Sequence, residues 1–170
     1  MILIARYMAF DESVYRKGYS IGVGAVALCG EKVLLIRRAL GHHVGSWTIP
    51  GGFVERSEKI DDAVKREVRE EAGVDAEVEG LIAVRNYVIK KGEENSAYFI
   101  FLMRAKREEA EPDGFETSGA GFFTRKEAFE LEGLLPTARI MIDRVLDAKV
   151  KVFTAHEHPN FPAEEFVLYM

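Results

Sequence analysis

The stretch from residue 57 to residue 73, SEKIDDAVKREVREEAG, obliges this chain to place carboxylates where a helix normally buries hydrocarbon. On a wheel of about 100° per residue with Ile60 at the origin, Ala63 and Val64 fall roughly 60° and 40° to either side and define the apolar stripe. Glu67 and Glu71 then lie about 20° from Ile60, one on each flank, and Glu70 about 80° away at the stripe's edge. These glutamates continue the face turned toward the core, while Asp61, Asp62, Lys65 and Arg69 take the opposite, wet face. Ser57 is expected as the N-cap, with Glu58, Asp61 and Asp62 in the first turns where the helix dipole favours acids, and Gly73 as the C-cap. An unpaired buried charge costs several kcal/mol, roughly, so something cationic is expected against this face. One reading is a solvated helix end held by i,i+4 ion pairs such as Arg66 with Glu70. The wheel favours another, because hard oxygen ligands gathered on one helix face suit Mg²⁺ or Mn²⁺, with Arg66 pairing with Glu70 and orienting it.

The rest of the chain is consistent with a single domain over residues 1–170, since 170 residues with 48% apolar content supply one real core. A net charge of −5 disfavours broad binding to nucleic acid or to an anionic membrane, so a polyanionic ligand has to be met locally. The single cysteine, Cys29, excludes an intrachain disulfide framework and reads as a small core residue. The opening MILIARYMAF is too short and too soon charged for a secretory segment, and no apolar run reaches spanning length; the expectation is a cytoplasmic protein.

Residues 19–29 and 32–38 are β-rich runs separated by Gly30 and Glu31, a hairpin pattern. TIPGGFVE breaks the chain with Pro50, Gly51 and Gly52 just before the glutamate helix. AEVEGLIAVRNYVI and SAYFIFLMRAK form a second hairpin across KKGEEN. A loop, EEAEPDGFETSG, then leads to a short strand AGFFT and to helices over about 125–131 and 137–148, the second started by Pro136. Hairpins with one central and two late helices give an α+β fold with a mixed sheet between helices.

Gly52, Glu58 and the run Arg66-Glu67-Val68-Arg69-Glu70-Glu71-Ala72-Gly73-Val74 fit the pattern GX5EX7REUXEEXGU, U being aliphatic, after a W-x-x-P-G-G approach. This resembles the complete box of the Nudix hydrolases, and the resemblance extends over most of residues 19–148. It implies a Nudix-like α/β/α sandwich and hydrolysis, with Mg²⁺ or Mn²⁺, of a nucleoside diphosphate linked to another moiety. By the same resemblance Glu67 and Glu71 are the principal metal ligands, Glu70 a further ligand or the base, and the Gly51 carbonyl another ligand. Glu58 supports the cluster and Arg66 holds a glutamate by an ion pair. In enzymes resembling ADP-ribose pyrophosphatases the base often lies on a later loop; here that loop offers Glu116, with Asp113 close by.

Further candidates have weaker signals. Trp47, Tyr87 and Phe115 are positioned either to stack on a nucleobase or to fill core. Arg37 and Arg38 either grip phosphate or sit at an exposed strand end. ADP-ribose or a related nucleotide sugar ranks first as substrate, although the proline that often follows the box in that group is absent, with Ile89 and Lys90 in its place. A nucleoside triphosphate of the 8-oxo-dGTP kind ranks second, and a non-catalytic ADP-ribose sensor third. The apolar ends of the chain and the resemblance both point to a homodimer.

Overall fold

The computed structural model describes residues 18–90, 94–156 and 168–170. Strands β1 (Gly18–Cys29), β2 (Lys32–Arg38), β3 (Trp47–Thr48) and β4 (Gly51–Phe53) come first, followed by helix α1 (Ile60–Ala72). Then come β5 (Ala76–Lys90), β6 (Glu94–Ala105), β7 (Thr117–Phe123), α2 (Arg125–Glu130), α3 (Pro136–Leu146), β8 (Ala155–His156) and β9 (Leu168–Tyr169). The main sheet runs β3-β2-β1-β6-β5, with β4 also paired to β1 and β7 to β2. Both expected hairpins form, and β1 lies parallel to β6 from Gly18 opposite Glu94 to Leu28 opposite Arg104. That one parallel pair makes the sheet mixed.

The layering follows from alternation along the central strands. Val23, Ala25 and Ala27 of β1, with Phe101 and Met103 of β6, face α1 through Ala63, Val64, Val68 and Ala72. Val26 and Leu28, with Ile100 and Leu102, face α3 through Ala138, Met141 and Ile142. Strands buried on both faces read as unbroken apolar runs, as β1 does. The result is the expected α/β/α sandwich.

Some local expectations are corrected. The helix starts at Ile60 rather than near Ser57, which takes φ 63 in the preceding turn; Lys59 is the N-cap and makes no side-chain cap bond. Gly73 does end the helix, left-handed at φ 64 with its N–H on the Arg69 carbonyl. β7 begins at Thr117, earlier than the AGFFT stretch, because the Thr117 hydroxyl donates to the Glu71 carbonyl at 2.8 Å and draws the chain into the sheet. Asp61 is not fully wet: it is half-buried, and its Oδ1 is sealed with no hydrogen-bond partner among the described residues. Tyr169, at the end of the chain, stacks edge-on against Phe101 at 5.5 Å and feels the charges of Asp61 and Asp62. The apolar N-terminal stretch expected to need cover lies outside the described residues.

Candidate active site

The Pro-Gly-Gly turn and the inner face of α1 close on each other at one end of the sheet. β4 pairs antiparallel with β1, Gly52 opposite Val23 and Gly51 opposite Gly24, which puts the turn against the last turns of α1. Glu67 and Glu71 are buried, at 8% and 6% exposure, as the wheel requires. A Cβ on Gly52 would stand 2.5 Å from a Glu67 carboxylate oxygen, so glycine is needed there for the helix to approach. The Gly51 N–H donates to Glu71 Oε2 at 2.7 Å.

Arg66 is the hub of the remaining acids. Its Nε and Nη2 donate to the two oxygens of Glu58 at 2.8 and 2.9 Å, its Nη1 to Glu67 at 2.6 Å and Glu70 at 3.0 Å, and Nη2 also to the Phe53 carbonyl at 3.0 Å. The guanidinium thus ties helix to turn, and those hydrogen bonds hold it charged. The structure thus pairs Arg66 with Glu58 and Glu67 inside the site and with Glu70 at its exposed rim.

Burial dominates the electrostatics. It pushes the Glu71 carboxyl up to about 8, against the Gly51 N–H and the Arg38 charge, which favour the ionised form. Glu67 is also raised by burial, with Arg66 opposing. The charge of Glu116 raises both, so the exposed Glu116 faces this pair from the loop before β7. That loop is tightly held. Asp113 Oδ1 accepts the N–H groups of Phe115, Glu116 and Thr117 at 3.0, 3.0 and 2.8 Å, and the Glu116 carbonyl accepts the Ala39 N–H at 2.8 Å.

The substrate-side candidates divide. Arg37 and Arg38 clasp the loop after β2: Arg37 Nε donates to the Gly45 carbonyl and Arg38 Nε to the His42 carbonyl, each at 3.0 Å. Trp47 is half-buried, opposite Arg37 and edge-on to Phe123 at 5.3 Å. Tyr87 is exposed on β5, three strands from β4 and so roughly 14 Å away at about 4.8 Å per strand; the fold does not bring it to the carboxylates. Phe115 is exposed beside Glu116.

Among the described residues no three acidic, histidine or cysteine side chains converge on one metal-sized point, since Glu67 and Glu70 turn to Arg66 and Glu71 to Gly51. The donor set nevertheless fits a hard divalent cation. Two buried carboxylates are all-oxygen ligands whose ionised form burial disfavours despite Arg66 and the Gly51 N–H, and Glu70 and Glu116 offer more at the rim.

The NUDIX domain family model matches residues 18–145. The chain belongs to the Nudix hydrolase family. It is 40% identical over 76 residues to the 8-oxo-dGDP phosphatase NUDT18 of Danio rerio, covering 44% of this chain and 23% of that protein. It is 37% identical over 65 residues to an ADP-ribose pyrophosphatase of Methanocaldococcus jannaschii, covering 38% of each. The matches therefore span well under half the length of these curated relatives. The MutT Nudix hydrolase structure from Burkholderia pseudomallei superposes with a TM-score of 0.64 at 26% identity, over 75% of this chain and 98% of that one. Members of the Nudix family generally use divalent metal ions.

Sequence reasoning missed the Tyr98 ring, which fills the space beside Gly22, Gly24 and Gly51, the Asp113 clamp and the Thr117 bond to Glu71. A signal for the first was present in IGVG, where glycines two apart on a buried strand leave a gap that some large side chain has to fill.

Proposed function

We propose that this Nudix domain hydrolyses the phosphoanhydride bond of a nucleoside diphosphate linked to another moiety, with ADP-ribose or a related nucleotide sugar as the first substrate. The observation that carries the reading is the buried pair Glu67 and Glu71 beneath the Gly51-Gly52 turn, where burial outweighs Arg66 and the Gly51 N–H and raises both carboxyls. Glu67, Glu71, Glu70 and the Gly51 carbonyl would hold Mg²⁺ or Mn²⁺, with Glu58 acting behind them through Arg66. When bound, such an ion neutralises pyrophosphate oxygens and acidifies water. The chain's own groups do the positioning. Arg66 fixes the turn of the helix that carries the glutamates. Glu116, on its clamped loop, takes the proton of the attacking water, and Glu70 is the other carboxylate exposed enough to compete for that role. Arg38, whose charge already reaches Glu71, meets substrate phosphate at the mouth of the site.

The substrate choice is supported by the approach RRALGHHVGSWTIPGGFVE and by the ADP-ribose pyrophosphatase among the relatives. A panel of nucleotide sugars, dinucleoside polyphosphates and triphosphates with Mg²⁺ and with Mn²⁺, products resolved by chromatography, tests it. ADP-ribose should give AMP and ribose 5-phosphate. Turnover confined to triphosphates would replace the substrate, and binding without turnover would make the chain a sensor. No helix among the described residues is long and apolar enough to cross a membrane, and a cytoplasmic setting belongs to this reading. So does a homodimer: Val84, Tyr87 and Val88 are exposed along β5, the edge of the sheet, and light scattering on the full chain is the check.

A further inference from the structure

Glycines from two separate stretches converge on one aromatic ring. A Cβ on Gly22 would stand 2.6 Å from the ring of Tyr98 and one on Gly24 2.7 Å from it, while one on Gly51 would overlap the Tyr98 hydroxyl oxygen and the Val23 carbonyl. Tyr98 lies on β6 opposite Gly22 of the parallel strand β1. A side chain at any of these glycines would occupy the volume the ring already fills. The Arg85 guanidinium stacks on the ring at 4.6 Å from its centroid, so the tyrosine is held by the strand on its other side as well.

The consequence runs forward to the site. Gly51 has φ 154, backbone that favours glycine, and its N–H is the donor to Glu71 at 2.7 Å. Tyr98 bears on the turn from behind while Glu71 holds it in front. Burial, with the charges of Glu71 and Glu67, keeps the phenol un-ionised, so its tip is a neutral stop.

We propose that Tyr98 is a positioning residue for the hydrolysis: wedged among Gly22, Gly24 and Gly51, it fixes the Gly51 amide against Glu71. This rests on the reading of Glu71 as part of a pyrophosphohydrolase site. A ring that merely filled core would lower thermal stability when removed and leave the Gly51 amide no more disturbed than its neighbours.

Tyr98→Leu and Tyr98→Phe in the full chain separate these roles. The Gly51 amide proton in ¹H–¹⁵N spectra should move upfield and exchange faster in Tyr98→Leu, and by less in Tyr98→Phe, which keeps the ring and loses only the tip. On the substrate that is cleaved, Tyr98→Leu should lower kcat on the order of tenfold with KM little changed, and Tyr98→Phe should recover most of that loss. In a Glu71→Ala background, which removes the acceptor of the Gly51 N–H, Tyr98→Leu should cost no further kcat, because both changes break one connection. Should Tyr98→Leu fail to fold, Gly24→Ala presses on the ring from its other side and should shift the same amide. An unmoved Gly51 amide in an otherwise native spectrum overturns the inference. A moved amide in a chain that cleaves nothing in the panel overturns instead the activity reading.

Discussion

Arg66 and Arg125 each gather several carboxylates, one beneath the Gly51-Gly52 turn and the other past the opposite end of β7. Arg125 pairs with Asp143 and Asp147, and Lys149 adds a second bond to Asp147 at 2.7 Å, so acids and bases match in an exposed network. The bonds from Lys149 and Arg125 hold Asp147 down to about 2. At the other hub Arg66 bonds Glu58, Glu67 and Glu70, while Glu71 accepts a backbone N–H from Gly51 and feels the charge of Arg38. There burial prevails, and Glu71 rises to about 8. The same ion-pair chemistry thus lies in water at one end of the molecule and beside two buried carboxylates at the other. On the proposed reading, Glu67 and Glu71 mark the place where a cation and a phosphorylated substrate belong.

The largest effect expected from sharpening this contrast is on turnover. Glu67→Gln or Glu71→Gln keeps shape and removes charge, and should lower kcat by roughly 10²-fold or more with the fold intact by circular dichroism. Near-native kcat in both would dissolve the difference between the two hubs. Next comes Arg66→Lys, which retains a charge but cannot hold two oxygens of Glu58 and reach Glu67 and Glu70 at once. It should cost about 10- to 100-fold in kcat/KM, the usual range for a group that orients ligands.

Much of the buried hub was legible because helix geometry is local. The inward turn of Glu67 and Glu71, the stop at Gly73 and the Arg66–Glu70 pair follow from residue spacing alone, and the structure places each accordingly. What escaped depends on contacts between distant segments. The short strands β3 and β4 exist only through pairing with β2 and β1. The early start of β7 depends on a bond from Thr117 to a residue 46 positions away. The sealing of Asp61 Oδ1 and the approach of Tyr169 to the charges of Asp61 and Asp62 join residues more than a hundred positions apart. The charge-matched hub around Arg125 likewise draws Arg125 and Asp147 together across 22 positions, and no motif announced it.

A third effect is on stability against pH in the metal-free protein. Glu71 has its folded-state value raised from 4.5 to about 8, so the folded chain holds a proton that the unfolded chain releases. Stability from this group is therefore full below 4.5, falls as pH rises, and is lost above about 8, at a rate of up to roughly 1.4 kcal/mol per pH unit. Glu71→Gln should flatten that decline in chelator-treated melts and raise the melting temperature at pH 8 more than at pH 4.5. An unchanged slope would mean that burial is not what sets this carboxyl. The smallest effect is at the exposed hub. Asp147→Asn breaks the balanced network around Arg125, and steady-state kinetics should show kcat and KM both unaltered. A clear loss of activity there would mean that the two hubs are not functionally distinct.

The most direct measurement is a thermal melt at pH 8 with and without Mn²⁺, for the native chain and for the Glu67→Gln/Glu71→Gln double variant. If the buried pair is short of a cation, Mn²⁺ raises the native melting temperature in a concentration-dependent way, and the double variant starts higher without metal and gains little from it. A native melt indifferent to Mn²⁺, or an equal rise in both proteins, would contradict the claim that this pair is built to hold the metal.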